Sequence, residues 1–177
     1  FEAGRPPSHH VDPNTLSKDG TVALSGASFT EDGRLMAYAV SVAGSDWQTW
    51  KVRDVATGKD LSDEICWSKA SGASWLKDGS GFFYSRYEAT KKGGALTGVN
   101  NHHLLYCHKL GASQSEDTLI YQRPDQPEWY IGGSVTDDGR WLVITCGKGT
   151  NPESSLFLKD LSKPGSSVEP FLDRMDA

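Results

Sequence analysis

Three serines stand two residues after a glycine, the position that a catalytic nucleophile occupies in many acyl-transfer hydrolases. They are Ser28, Ser74 and Ser134. A nucleophile of that class lies in Gly-x-Ser-x-Gly, on a sharp turn between a strand and a helix. The second glycine is missing at all three positions, and catalysis needs only one serine. We therefore predict no catalytic residue in this chain and expect the three hydroxyls to hydrogen-bond the turns that follow them.

Histidines are the second group of residues that could do chemistry, as metal ligands or general bases. The adjacent pairs His9-His10 and His102-His103 cannot each chelate one ion from extended backbone, because neighbours on a strand point to opposite faces. His108 adds no matched spacing to a carboxylate. The pattern predicts no metal site and no cofactor.

Each of the three serines belongs to a longer element, Gly-x-Ser-apolar-x-x-Asp-Gly, which occurs three times. Its turn residues are Asp32-Gly33, Asp78-Gly79 and Asp138-Gly139. Asp-Gly favours a short hairpin, because glycine takes positive φ without a Cβ clash and aspartate bonds its own local backbone. The recurrence indicates a repeated unit of roughly 40–50 residues, with an insertion in the middle copy.

Apolar runs around each turn predict four strands per unit. In the first unit they are residues 26–30, 35–42 and 49–55, with a weaker fourth strand near Leu61. The later units have third strands at residues 104–110 and 155–161, and fourth strands at 118–121 and 168–172. Four antiparallel strands per repeat predict an all-β propeller, with units at roughly residues 22–62, 63–122 and 123–172. The partial propeller would span residues 11–177, after a flexible lead-in at residues 1–10.

Composition excludes several classes of function. A net charge of -5 without a basic cluster argues against nucleic-acid binding, which needs grouped Lys and Arg. No apolar run approaches the roughly 20 residues of a membrane-spanning helix, so we expect no membrane association. Cys66, Cys107 and Cys146 form no CxxC pair and are expected to be buried free thiols. Free thiols favour a cytoplasmic location, with the periplasm as the alternative.

Several short motifs, in the same order, carry a resemblance to a known family. They are Asp12-Pro13-Asn14-Thr15-Leu16-Ser17, Gly44-Ser45-Asp46-Trp47, Ser71-Gly72-Ala73-Ser74-Trp75, Gly81-Phe82-Phe83-Tyr84-Ser85-Arg86-Tyr87 and Gln114-Ser115-Glu116-Asp117. From about residue 11 to residue 172 the chain resembles the propeller domain of the prolyl oligopeptidase family of proline-specific serine endopeptidases.

The resemblance implies a seven-bladed propeller that caps an α/β-hydrolase domain in the same polypeptide. That domain supplies the catalytic serine, aspartate and histidine, and the substrates are proline-containing peptides. The present chain would then be about three blades of the ring and inactive by itself. The propeller would limit the size of the peptides that reach the active site.

The longest insertion, residues 88–101, exceeds what a hairpin needs and indicates a functional or disordered loop. In the family the corresponding loop lies at the interface with the hydrolase domain and helps to control substrate access. The residues to which we assign this role are Arg86, Lys91, Lys92, Asn100, Asn101 and His102. Just before Ser71 the family usually has an aromatic residue of the substrate pocket, but this chain has Ala70, so that contact does not transfer.

Two other functional classes remain open. One is a stand-alone protein-interaction propeller, although the Gly-His and Trp-Asp signatures of WD40 repeats are missing. The other is a sialidase-like or lectin-like carbohydrate module, suggested by the six tryptophans. The Asp-box of such modules has one residue between aspartate and glycine, whereas the two are adjacent here in all three copies.

Overall fold

A computed structural model describes residues 21–88 and 100–173. Within these residues it contains twelve strands and one short 3-10 turn, Gln114–Glu116, and it has no helix long and apolar enough to cross a membrane. The first four strands are β1 Val22–Phe29, β2 Leu35–Val42, β3 Gln48–Asp54 and β4 Asp60–Ser68. The next four are β5 Ser74–Trp75, β6 Gly81–Arg86, β7 Leu104–Lys109 and β8 Thr118–Tyr121. The last four are β9 Trp129–Val135, β10 Trp141–Lys148, β11 Ser154–Asp160 and β12 Val168–Leu172.

Each group of four strands is an antiparallel sheet in chain order, and we call the groups the first, second and third blades. One residue pair, Ser68 with Arg86, joins β4 to β6 and so links the first and second blades. The prediction of all-β blades of four antiparallel strands is confirmed. The sequence-based boundary between residues 62 and 63 falls inside β4, which pairs with β3 as far as Ser68. Because apolar periodicity is weak in β4, the sequence did not indicate how far this strand extends.

The three Asp-Gly turns have one geometry. Gly33, Gly79 and Gly139 have φ of 68°, 69° and 73°. In each turn the glycine N–H donates to the carbonyl three residues earlier, as from Gly33 to Thr30 over 2.8 Å. The glycine is therefore the last residue of a four-residue turn, and the connection is longer than a two-residue hairpin.

Core packing lies between the blades. Ala37, Trp50 and Val52 of the first blade pack against Trp75 and Phe82 of the second. On the opposite face of β6, Phe83 joins a second cluster that contains Leu105 of the second blade, and Leu142, Ile144 and Phe157 of the third. Because β6 is covered on both faces, its sequence is a continuous apolar run instead of an alternating one.

Strand direction gives the sheets two different ends. The Asp-Gly turns, within residues 30–34, 76–80 and 136–140, lie at one end, which we call the turn end. At the other, called the loop end, are the connections 43–47, 69–73, 87–103, 122–128 and 149–153. The longest connection, between β6 and β7, falls where the sequence predicts the insertion, and its residues 89–99 lie outside the described residues.

Candidate functional site

Unusual backbone conformations mark the loop end. Among the described residues four that are not glycine have positive φ: Ala43 at 53°, Trp67 at 62°, Ala70 at 50° and His102 at 62°. All four lie in loop-end connections or at the end of the strand that leads into one. Residues with a side chain pay a steric cost for this conformation, and such residues concentrate at active sites, ligand-binding sites and switch regions. The loop end is therefore the strongest candidate for a functional surface.

An aromatic cluster lies among these loops. The ring of Trp47 meets Trp67 edge-on at 5.8 Å between centroids, and it meets Tyr87 edge-on at 5.9 Å. Tyr87 in turn packs on His103 at 4.6 Å. The cluster ties the first blade's loop 43–47 to the second blade's long connection, and it gives the loop end a half-buried apolar surface.

A cavity of about 370 Å³ opens beside this cluster. Trp47, Tyr87 and the buried Leu104 form its apolar side. Asn100, Asn101 and His102, three of the residues assigned to substrate access, form the polar side with Glu88 and Gln122. A lining that combines aromatic rings with amide and carboxylate groups suits a peptide-like ligand, since such groups can hydrogen-bond a backbone while the rings pack on side chains.

Arg86, another residue assigned to substrate access, is not among the residues that line this cavity. Arg86, at the end of β6, places its guanidinium 4.2 Å above the ring of Tyr106. Its Nε is buried and has no hydrogen-bond partner among the described residues. Lys91 and Lys92 lie outside the described residues. The structure thus brings Asn100, Asn101 and His102 together and separates Arg86 from them.

His103 is a residue of this region whose role the sequence did not indicate. It is buried, its Nε2 lies 3.0 Å from the carbonyl of Lys69, and its Nδ1 accepts from the N–H of Ile131 over 2.9 Å. These two bonds require a neutral ring with the proton on Nε2. Burial lowers the pKa of His103 to about 4, despite the opposing hydrogen bond to Lys69. The ring therefore joins the loop end of the second blade to β9 of the third.

A second cavity, of about 420 Å³, lies beside Ala70. Ser25, Ser41, Ser45 and Gln48 contribute polar groups, and Lys69 pairs with Asp46 at 3.2 Å. Ala70 itself is exposed at the edge of this cavity.

A third cavity, of about 610 Å³, follows the first strands of the three blades and contains the repeated serines. Ser74 Oγ accepts from the backbone N–H of Val135 over 2.9 Å. The expectation that Ser74 bonds its own Asp-Gly turn is therefore wrong. In the first and third turns the hydroxyls of Thr30 and Thr136 bind Asp32 and Asp138 instead, over 2.6 and 2.5 Å.

Neighbouring blades are also joined along the surface formed by their first strands, β1, β5 and β9, which we call the inner wall. Trp75 Nε1 donates to the carbonyl of Ser28 over 3.1 Å. Lys77 reaches both neighbours, with its Nζ 2.5 Å from a carboxylate oxygen of Glu31 and 2.6 Å from the carbonyl of Asp137. The described residues that line the wall include no histidine, so none is placed there to activate a serine.

The cysteine thiols and the candidate metal ligands of the described residues show no arrangement that indicates chemistry. Cys66, Cys107 and Cys146 are free thiols. Burial raises the pKa of Cys107 to about 11 and that of Cys146 to about 12, which keeps both thiols protonated and unreactive at neutral pH. Within residues 21–88 and 100–173 no three side chains of His, Cys, Asp or Glu are grouped as metal ligands.

Comparison with known proteins places these features in a family. Residues 2–177 match the family model described as the N-terminal β-propeller domain of prolyl oligopeptidase. The chain is 44% identical over 151 residues to a prolyl endopeptidase of Elizabethkingia meningoseptica, covering 85% of this chain and 21% of that protein. It is 36% identical over 168 residues to prolyl oligopeptidase A of Amanita bisporigera, covering 86% of this chain and 22% of that protein.

Solved structures agree with the sequence matches. A structure from a study of inter-domain dynamics in two prolyl endopeptidases superposes with a TM-score of 0.83 at 34% identity, covering 99% of this chain and 25% of its own. Prolyl oligopeptidase B of Galerina marginata, bound to a 35mer hydrolysis and macrocyclization substrate, also has a TM-score of 0.83, at 32% identity, covering 92% and 24%. The chain spans about a fifth of the length of these curated relatives.

Proposed function

Because the chain belongs to the prolyl oligopeptidase family, as part of its N-terminal β-propeller domain, we propose that it serves a serine endopeptidase that cleaves proline-containing peptides. In that enzyme these blades are non-catalytic, and a hydrolase domain of the same polypeptide carries out the chemistry. The blades limit which peptides reach the active site. We propose a cytoplasmic location for the enzyme.

The observation that carries this proposal is the concentration of unusual features at the loop end. The aromatic cluster, the cavity lined by Asn100 and Asn101, and the four non-glycine residues with positive φ all lie there. The turn end is built on glycine turns of a single repeated geometry. We propose that the loop end faces the hydrolase domain and that the turn end faces solvent.

Side chains at the cavity then contact peptides on their way to the active site. In the complete enzyme, replacing Asn100 and Asn101 by Ala should lower kcat/KM for long proline-containing peptides more than for short ones, because only a long peptide extends from the active site to this cavity. Asn151→Ala is the matched control, since Asn151 lies in loop 149–153 of the third blade at the same end and hydrogen-bonds Glu153. Equal effects of the double variant on short and long peptides would refute a role in access.

The stand-alone alternatives differ in what the complete gene encodes. A downstream domain with Gly-x-Ser-x-Gly between a strand and a helix would support the peptidase. A reading frame that contains only further blades would favour an interaction propeller instead.

A further inference from the structure

A buried histidine between two aspartates lies at the seam between the first and second blades. His108 is on β7, Asp63 is on β4 of the first blade, and Asp117 directly precedes β8. His108 Nδ1 lies 2.7 Å from Asp117 Oδ1, and Nε2 lies 3.0 Å from Asp63 Oδ1. The three side chains are 1%, 2% and 0% exposed for His108, Asp63 and Asp117. The cluster is independent of the loop end and of the proposed function.

Hydrogen counting fixes the charge of the ring. Asp63 Oδ1 also accepts the N–H of Gly111 over 2.6 Å, and Asp117 Oδ2 accepts the hydroxyl of Tyr84 over 2.6 Å. With both carboxyl groups ionised they can only accept, so each ring nitrogen of His108 donates to one of them. Only the doubly protonated ring has two N–H groups. A neutral ring would turn a lone pair towards a carboxylate oxygen in a site without water-like screening.

Within the part of the chain that the structure describes, no other cation shares these carboxylates. Among the ion pairs of the described residues, His108 is the only basic partner of Asp63 and of Asp117. From β6 the ring of Phe82 packs on His108 at 5.4 Å, and the hydroxyl of Tyr84 faces Asp117.

Other polar and titratable groups surround the cluster. Gln114, from the 3-10 turn, bonds Tyr84 and the backbone of Cys66 on β4. The carboxylate of Asp117 acts on the thiol of Cys107 on β7, and the positive charge of Arg86 acts on Tyr84. None of them supplies a second positive charge to Asp63.

We infer that protonated His108 is a clamp that holds β4 of the first blade onto the second blade, and that loss of its proton at alkaline pH loosens this seam. At the loop end the two blades stay joined, because Ser68 Oγ donates to the carbonyl of Ser85 on β6 over 2.8 Å. Trp50 Nε1 of the first blade holds the Ser68 hydroxyl in place by donating to it over 3.0 Å. The seam therefore has a neutral hydrogen-bonded hinge at Ser68 and an ionic clamp towards the turn end.

The sign of the pH effect follows from the environment of the ring. Burial opposes protonation, but the hydrogen bonds to Asp117 and Asp63 outweigh it and raise the pKa of His108 above its usual 6.5. A histidine with a raised pKa in the folded state stabilises fully below pH 6.5, and this contribution is lost as pH rises through the folded-state pKa. The seam should accordingly weaken on the alkaline side of neutrality.

Exchange of the histidine C2–H with deuterium, followed by mass spectrometry from pH 5 to 10 in the complete protein, measures the pKa of each ring. His108 should titrate above 6.5, while His103, equally buried but held neutral, should titrate near 4 or below the range. Asp117→Asn should lower the midpoint of His108, and the exposed β4 variant Glu64→Gln should not. A wild-type midpoint for His108 at or below 6.5 would overturn the inference, and this result does not depend on whether any variant folds.

Backbone amide exchange shows whether the proton holds the seam. After correction for intrinsic rates, opening of peptides covering residues 60–68 and 104–117 should rise by up to about tenfold per pH unit between 6.5 and the midpoint of His108. Peptides from β9 and β10 serve as the internal reference. In Asp117→Asn the opening of the seam peptides should lose this pH dependence. Wild-type seam peptides that follow the reference peptides across the whole range would contradict the clamp.

Discussion

At the scale of single residues, the three turn glycines are equivalent in backbone but not in surroundings. Gly33 has open space around the position of a Cβ, whereas a Cβ at Gly139 would lie 2.5 Å from Lys77 Cβ. The repeat predicts the glycine at all three turns, because the motif is local. It cannot predict the contact with Lys77, which comes from the neighbouring blade.

Alanine substitutions separate these two effects. Gly33→Ala should lower the free energy of unfolding by about 1–2 kcal/mol through backbone strain alone. Gly139→Ala should cost roughly 1–3 kcal/mol more, since the methyl group must displace Lys77. Chemical denaturation followed by tryptophan fluorescence measures both values. Equal losses for the two variants would mean that the packing of Lys77 on the third turn is wrong.

His103 predicts acid sensitivity at the residue scale. Its pKa is lowered from 6.5 to about 4 in the folded chain, so its contribution is present above pH 6.5 and is lost as pH falls towards 4. A shift of this size corresponds to roughly 3 kcal/mol. His103→Gln should therefore flatten the dependence of the unfolding free energy on pH between 6.5 and 4. If the unfolding free energy of the variant depends on pH as steeply as that of the wild type, His103 is not the source of the acid sensitivity.

At the scale of elements, the strands follow from local sequence and the contacts between blades do not. The strands β2, β8 and β12 have the predicted bounds, because apolar runs and glycine turns are signals within a few residues of each other. The partners of His103 and His108 are 28 to 45 residues away along the chain, apart from Asp117, which is 9 residues from His108. Contacts between residues this far apart in sequence depend on how the blades stack, and local sequence patterns do not predict that stacking.

The repeated serines show the same limit and provide a test. Ser74→Ala would leave the N–H of Val135 without its acceptor at the seam between the second and third blades, which should cost about 1–3 kcal/mol. Ser134→Ala is the control, because its hydroxyl has no such bond among the described residues and the side chain is exposed. Its loss should stay within about 0.5 kcal/mol. If thermal or chemical unfolding shows equal losses of stability for the two variants, the Ser74 hydroxyl has no special role at this seam.

At the scale of the whole molecule, three blades stack through apolar clusters and share an inner wall and a loop end. The second blade is buried on both faces, whereas the third presents exposed apolar residues such as Phe171 and Leu172 on β12. The fold and the family could be predicted from ordered motifs. The cavity at the loop end could not, because Trp47 and Asn100 come from different blades.

The segment should have no catalytic activity of its own. The isolated chain should not react with a serine-directed fluorophosphonate, since none of the described residues around the repeated serines is a histidine. The complete enzyme should react at one serine outside this segment. Stoichiometric labelling of Ser28, Ser74 or Ser134 would show that the segment carries its own nucleophile.

The most direct test of the central claim is the size selectivity of the complete enzyme after residues 88–101 are shortened to the length of connection 43–47. A loop at the path of the substrate limits passage by occupying space and by the free energy of moving it. The ratio of kcat/KM for a long over a short proline-containing peptide should therefore change, while the fold and hydrolysis of the short peptide persist. Unchanged kcat/KM for both peptides would contradict the account, because these blades would then have no part in substrate access.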